Sequence, residues 1–170
     1  LHHAVLHDPA SKVRELAAAR LEGWEDLISL NTLAKALSDT HEHVRLAASQ
    51  SLSEIKHAES AQHLAPYLQQ QDDFVVASIL RAIRELRAES LFDNILQHVQ
   101  HSNALVRKEA VSTLSWLQKQ QGFSALAEIA QNDPDAEIRR IATGGLGATL
   151  NLSPEILSAL RSSLRAEAWQ

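Results

Sequence analysis

The sequence has no cysteine and no methionine, one tyrosine, and only five glycines and four prolines in 170 residues. Without cysteine, disulfides and thiolate metal sites are excluded, and sulfur chemistry does not indicate a compartment. No stretch approaches the ~18 consecutive apolar residues of a membrane span, and the first residues do not read as a signal peptide. A cytoplasmic location is therefore expected. Methionine is missing even at position 1, as expected of a piece of a longer or processed protein. The scarcity of glycine and proline leaves no flexible linker, so one continuous domain over 1–170 is expected. Basic excess is lacking too. The net charge is −5, with 11 acids against 6 bases in residues 1–74 and 10 against 10 in 75–170. That balance disfavours nucleic acid, which asks for a basic footprint, and membrane surfaces likewise.

What the chain does have is self-similarity. Segments opening at Val13-Arg14, Val44-Arg45, Val75-Val76, Val106-Arg107 and Ile138-Arg139 begin 31, 31, 31 and 32 residues apart. Four positions further on stand Ala17, Ala48, Ile79, Ala110 and Ala142. Eight further on come Leu21, Leu52, Ile83, Leu114 and Leu146, and eleven further on Trp24, Ile55, Leu86, Leu117 and Thr149. Such offsets share one side of a helix, and no period-2 alternation competes with them. A second series lies between them: Leu30, Ala61, Phe92 and Phe123; Leu33, Leu64, Ile95 and Leu126; Leu37, Leu68, Val99 and Ala130. Each unit thus reads as a pair of amphipathic helices whose apolar sides need neighbouring pairs to be buried.

This predicts an all-α fold, a right-handed α-solenoid of stacked antiparallel helix pairs. A partial first repeat covers 1–24, pairs follow at 26–57, 59–87, 89–119 and 122–149, and an unpaired helix closes the chain at 154–167. Asp8-Pro9, Asp133-Pro134 and Ser153-Pro154 each place a capping oxygen before a proline, so helices are expected to start there. Pro66 falls inside a predicted helix and should bend it or end its regular hydrogen bonding. The stripe Ile156, Leu157, Leu160 and Leu164 is expected to pack the last helix on the pair before it.

An Asp followed five residues later by Val-Arg, as in Asp8/Val13/Arg14, Asp39/Val44/Arg45 and Asp133/Ile138/Arg139, and more weakly in His101/Val106/Arg107, resembles HEAT repeats of the short, bilin-lyase-like type. The resemblance implies that first helices line a convex side and second helices a concave one. It also implies that Asp8, Arg14, Asp39, Arg45, Arg107, Asp133 and Arg139 form a ladder between repeats. The middle repeat departs from it: Gln70 stands for the ladder Asp and Val76 for the ladder Arg, with Asp72 and Asp73 nearby, which marks a soft joint or plain drift.

Enzymatic relatives are tested residue by residue, since fold alone does not give function. HEAT-like di-iron hydroxylases carry His-Glu pairs just after the Val-Arg position, where this chain has Glu15-Leu16, Leu46-Ala47, Ala77-Ser78, Lys108-Glu109 and Arg140-Ile141. Phycobilin lyase and isomerase subunits share the repeat type, which keeps an enzyme-subunit role as an alternative. HEAT-like DNA glycosylases need a basic inner face, a more remote reading here. All nine histidines lie within the first 101 residues. His3 and His7 share a helix face but lack a third ligand at motif spacing, and His41 and His43 flank Glu42 in a turn. No cofactor and no metal is expected. Gly144, Gly145 and Gly147 cluster in the last second helix, where close packing or an early helix end would account for them.

The expectation is a non-catalytic scaffold that binds another protein, through an acidic or amphipathic segment, on the side of the second helices opposite their apolar arc. Its candidate residues are Leu46, Gln50, Ser53, His57, Arg81, Arg84, Lys108, Ser112, Trp116, Lys119 and Arg140. Along the chain this stripe runs from acidic (Glu15, Glu22, Asp26) to basic.

Overall fold

A computed structural model describes residues 1–148 and 153–167, with side chains at 155 and 163–167 outside the description. Every regular element among the described residues is helical. The chain forms two compact units, Leu1–Asn94 and Ile95–Gln170. In the first, α1 (His2–His7), α3 (Leu27–Ala36) and α5 (Ser60–Leu64) pack side by side as one layer. Against them lies a second layer of α2 (Ser11–Ala19), α4 (Glu42–Ser53) and α6 (Asp73–Glu85). A short helix, α7 (Phe92–Leu96), spans the division. In the second unit, α8 (Ala104–Leu117) lies beside α10 (Ala136–Gly147), and α9 (Phe123–Asn132) beside α11 (Pro154–Glu167). Each unit is thus the two-layer stack of helix pairs that the period demands.

The apolar series form the core. All twelve positions of the first-helix series are buried, and so are the second-helix positions at offsets 4 and 8. Three expected core residues are not: Leu117 is half-buried, and Trp24 and Val13 are exposed. Trp24 is 51% exposed, because α2 ends at Ala19 and Gly23, at φ 76°, turns the chain before Trp24 can continue the helical register. Val13 is 41% exposed, whereas Val44 and Ile138 are buried where α4 meets α2 and α10 meets α8; α2 is the first second-layer helix of the chain. Thr149 lies outside the described residues. In α11, Ile156 and Ala159 are buried while Leu157 is 36% exposed, so Ala159 rather than Leu157 belongs to the packed stripe; the side chain of Leu164 is outside the description.

Helix entrances are shifted from the expected Asp-Pro steps. Asp8 accepts the N–H of Ala10, and Asp133 that of Asp135, each closing a local turn, so the helices begin two residues later. Asp135 caps α10 by accepting from Glu137 and Ile138, as Asp26 does for α3 and Asp72 for α6. Ser153 does stand at the entrance of α11, 3.4 Å from the N of Ile156. Pro66 acts as expected: α5 stops at Leu64, and Ala65–Gln69 continues as a tighter 3₁₀ turn.

The Asp turns leave a carboxylate facing the preceding repeat, which the ladder uses. Arg14 donates from Nε and Nη2 to both oxygens of Asp39, at 2.7 and 3.0 Å, while its Nη1 reaches the carbonyl of Asp8. Arg107 repeats the arrangement on Asp133, at 2.9 and 3.2 Å, with Nη1 on the carbonyls of His101 and Ser102. The Nη1 groups of Arg45 and Arg139 likewise bond the carbonyls of Asp39 and Asp133. Where Gln70 removes the next carboxylate, Asp72 does not take its place but caps α6, and the Arg45 guanidinium lies 5.6 Å over the ring of Phe74. Val76, in the ladder Arg position, is 2% exposed, so an apolar core contact replaces a polar rung. His101 keeps the Asp's turn function by accepting the N–H of Asn103 on Nδ1.

Beside it, His98 is buried, and its Nε2 is without a hydrogen-bond partner. Burial, together with the neighbouring His101, holds its pKa below the ordinary 6.5. The folded state therefore resists a proton that the unfolded chain accepts, and stability falls as pH drops below 6.5. Urea midpoints at about pH 7.5 and about pH 5.5 should differ less in His98→Leu than in the parent; an equal drop in both would remove His98 as the cause.

Candidate functional site

The second-helix layer carries the residues that the sequence offers for binding, and each unit presents its own part. In the first unit, α2 contributes Glu15 and Ala19, with Glu22 in the turn that follows, and α4 contributes Leu46 and Gln50. Leu46 is 52% exposed although it stands on a helix whose Val44, Ala48 and Leu52 are fully buried. Gln50 bonds Glu54, and the Ser53 hydroxyl is spent on the carbonyl of Ser49. His57 lies past the end of α4, with Nδ1 3.1 Å from Glu25. On α6 the expected stripe is only partly open: Ala77 is buried, as is Ala88 just beyond the helix, and Arg81 and Arg84 are half-buried, Arg84 paired with Glu85 at 3.2 Å.

In the second unit one face of α8 carries Leu105, Lys108, Ser112 and Trp116, with Lys119 just past the helix end. Leu105 is 41% and Trp116 53% exposed, and Ser112 and Lys119 are half-buried. On α10, Arg140 makes a two-pronged pair with Glu137 at 2.8 Å, and Lys108 approaches the same carboxylate at 4.0 Å. Arg140 holds Glu137 below its ordinary pKa despite an opposing effect of desolvation. The basic stretch read from the helical offsets is thus partly compensated by Glu137 and Glu85, which fall outside the offsets counted.

The three glycines of α10 separate into two roles. A Cβ on Gly145 would fall 2.7 Å from the Cβ of Ser115 and 3.1 Å from its Cα, so the residue permits close approach of α10 to α8. Gly144 and Gly147 meet nothing within 4 Å and face open space. Gly145→Ala is therefore expected to cost about 1–3 kcal/mol through overpacking. Gly144→Ala should gain about 0.5–1 kcal/mol from helix propensity. Thermal melts of the two variants that move in the same direction would contradict this division.

One polar clamp escaped the sequence reading. The Glu25 carboxylate accepts the N–H groups of Lys56 and His57, at 2.7 and 2.9 Å, and the hydroxyl of Ser60 at 2.9 Å, bracing the turn of the next repeat. Three periods later, Gln118 also reaches the next repeat, but as a donor and to the helix itself, from Nε2 to the carbonyl of Gly145 in α10 at 3.0 Å. The same place in the repeat is used with opposite polarity, so no shared residue type marks it in the sequence.

Among the described residues no three His, Asp or Glu side chains gather as a metal site, and no helix is long and apolar enough to cross a membrane. His3 and His7 lie 4.9 Å apart, and His41 and His43 5.6 Å apart, as ring pairs.

Several known proteins share this architecture. An engineered protein superposes with a TM-score of 0.57 at 14% identity, covering 96% of this chain and 94% of that one. A designed armadillo repeat protein in complex with the peptide (KR)4 gives 0.56 at 16%, covering 98% and 88%. The complex of CpcE and CpcF of phycocyanin lyase from Nostoc sp. gives 0.51 at 17%, covering 96% and 80%. No curated protein matches the sequence. The sequence model of HEAT repeats matches residues 1–84 and again 75–147. With its 31-residue helix pairs and Asp–Arg rungs, the chain belongs to the HEAT-repeat family.

Proposed function

We propose that this chain is a non-catalytic scaffold that binds a segment of another protein along its second helices, the side that lines the concave surface in HEAT arrays. The observation that carries the reading is the exposure of Leu46 and Trp116, at 52% and 53%, on helices whose other apolar residues are mostly buried. Large apolar side chains kept in water on a rigid layer are what an interface uses as anchors. Basic side chains on second helices, Arg81 and Arg84 in one unit, Lys108 and Arg140 in the other, favour an acidic segment and would steer its approach. The designed armadillo protein that holds a peptide, and the CpcE–CpcF complex, support association with protein chains as work that such helical stacks do.

Charge reversal tests the reading against an isolated partner. Arg81→Glu/Arg84→Glu, with helical content unchanged by circular dichroism, is expected to slow association about tenfold and to weaken its salt dependence. Unchanged association would move the binding surface to the first helices or the loops.

A further inference from the structure

Most histidines of the first unit are spent within the protein. His2 meets the Ser29 hydroxyl through Nε2 at 2.8 Å, and Nδ1 of His41 lies 3.0 Å from the Arg14 guanidinium and from the Thr40 hydroxyl. His43 and His57 lie 3.9 and 3.1 Å from Glu15 and Glu25. His3 and His7 of α1 differ from these. Both are exposed, neither has a hydrogen-bond or ion-pair partner, and the two rings stand together with centroids 4.9 Å apart and planes inclined by 52°. At about 100° per residue, their bisector points about 180° away from Val5, which anchors α1 in the packed layer at 0% exposure. The imidazoles therefore stand straight out from the first-helix layer.

The spacing of the rings fits a shared ion. Two imidazoles on one zinc, each with a Zn–N bond of about 2.0–2.1 Å and a tetrahedral angle between them, have centroids about 5 Å apart. The other histidine pairs, His41–His43 and His98–His101, are wider, at 5.6 and 6.1 Å. The charges that line the groove beside His7 balance, Asp8 and Asp39 against Arg14 and Lys35, so no net local charge repels a cation. Asp8 does not complete the set, since among the described residues no three His, Asp or Glu groups gather as a metal site. A tetrahedral ion held by His3 and His7 thus has two positions still to fill.

We propose that His3 and His7 are one half of a zinc site and that a second copy of the chain supplies the other half, one ion being held by four imidazoles on a two-fold axis. A contact of this kind uses the same residues on both copies, so a pair that is half a coordination sphere becomes a whole one by symmetry. Neither imidazole gives up a bond to take the metal, and the outward direction of both leaves the approach of the second copy open. The assignment concerns the first-helix layer and does not rest on the scaffold reading.

Zinc sulfate added to the metal-free protein tests this by calorimetry and sedimentation velocity. The expected result is a dimer that forms at one zinc ion per two chains and returns to monomer in EDTA. Cobalt(II) in place of zinc should give the strong visible absorption of a tetrahedral ion. His3→Gln/His7→Gln should stay monomeric at the same zinc concentration. His7→Gln alone should weaken zinc binding about a hundredfold or more, as a two-point attachment becomes a one-point one. Both side chains are exposed and without partners, so these variants keep the fold. His63→Gln, which removes a lone exposed histidine of α5, should dimerise as the parent does. Zinc-driven dimers of the double variant, a parent dimer that persists in EDTA, or a parent that binds zinc as a monomer or not at all, overturns the assignment.

Discussion

Asp133→Ala is expected to lower the unfolding free energy by about 3 kcal/mol. The carboxylate is 4% exposed and takes two bonds from Arg107, whose side chain is 11% exposed, as well as the N–H of Asp135. Removing it leaves a guanidinium enclosed without its counter-charge and opens the turn that sets the start of α10. Asp133→Asn keeps an oxygen for Asp135 but loses the charge, and should cost about half as much. Urea unfolding of both variants checks this, and a loss below about 1 kcal/mol for Asp133→Ala would show the rung to be as weak as a surface ion pair. The converse change also follows. Gln70→Asp restores a carboxylate opposite Arg45 and should gain up to about 1 kcal/mol.

The equivalent rung in the first unit adds a pH signature. The side-chain hydrogen bond from Arg14 holds Asp39 at about 2, against the ordinary 3.8, overcoming the desolvation that pushes it up. A depressed carboxylate contributes stability that is present above its unfolded value and is lost as pH falls from 3.8 through about 2. Asp39→Asn should therefore flatten the acid limb of the stability profile while leaving its neutral limb parallel to that of the parent.

Glu25→Ala should produce the other large loss, about 2–3 kcal/mol. Burial raises the Glu25 pKa, but the N–H groups of Lys56 and His57, with Ser60 and His57 side chains, more than offset it and hold the group below 4.5. Without the carboxylate, two backbone donors of the α4–α5 turn lose their acceptor. The local readout is amide exchange: protection at Lys56 and His57 should fall in the variant well beyond the change at α6. Unaltered protection there, with an intact fold, would mean that the turn is held by other contacts.

Most of the fold was legible because a repeat states its geometry several times over. The series through Leu30, Leu33 and Leu37 and their counterparts fixed the first helices, and the Asp and Arg positions of the ladder paired as the family resemblance implied, at Arg14–Asp39 and Arg107–Asp133. What periodicity misread were places where the backbone leaves the helix. Trp24 falls beyond a turn at Gly23, and the Asp-Pro steps close turns instead of capping helices. Offsets also say nothing of depth: Ala77 shares the register of the exposed Leu46 yet is buried. The Glu25 clamp was invisible for another reason. Its acceptor role appears at 118 as a donor role, and a search for like residues at a fixed spacing passes over it.

The candidate site was legible as a stripe but not as a surface. Leu46, Lys108, Trp116 and Arg140 stand exposed where helical geometry put them, while Gln50, Ser53, Arg84 and Arg140 are engaged with side chains or carbonyls of their own helices. The close approach of α10 to α8 at Gly145 and Ser115 involves two helices at once, which no single helix encodes.

The central claim, that partners bind on the second-helix layer, is tested most directly by site-specific photo-crosslinking to an isolated partner. A photoreactive phenylalanine analogue is placed at Leu46 or Trp116 in the second-helix layer, and at Gln62 or Glu128, exposed residues of α5 and α9 in the first. The account predicts cross-links from the positions of Leu46 and Trp116 and none from Gln62 or Glu128; cross-links from the latter pair alone would contradict it.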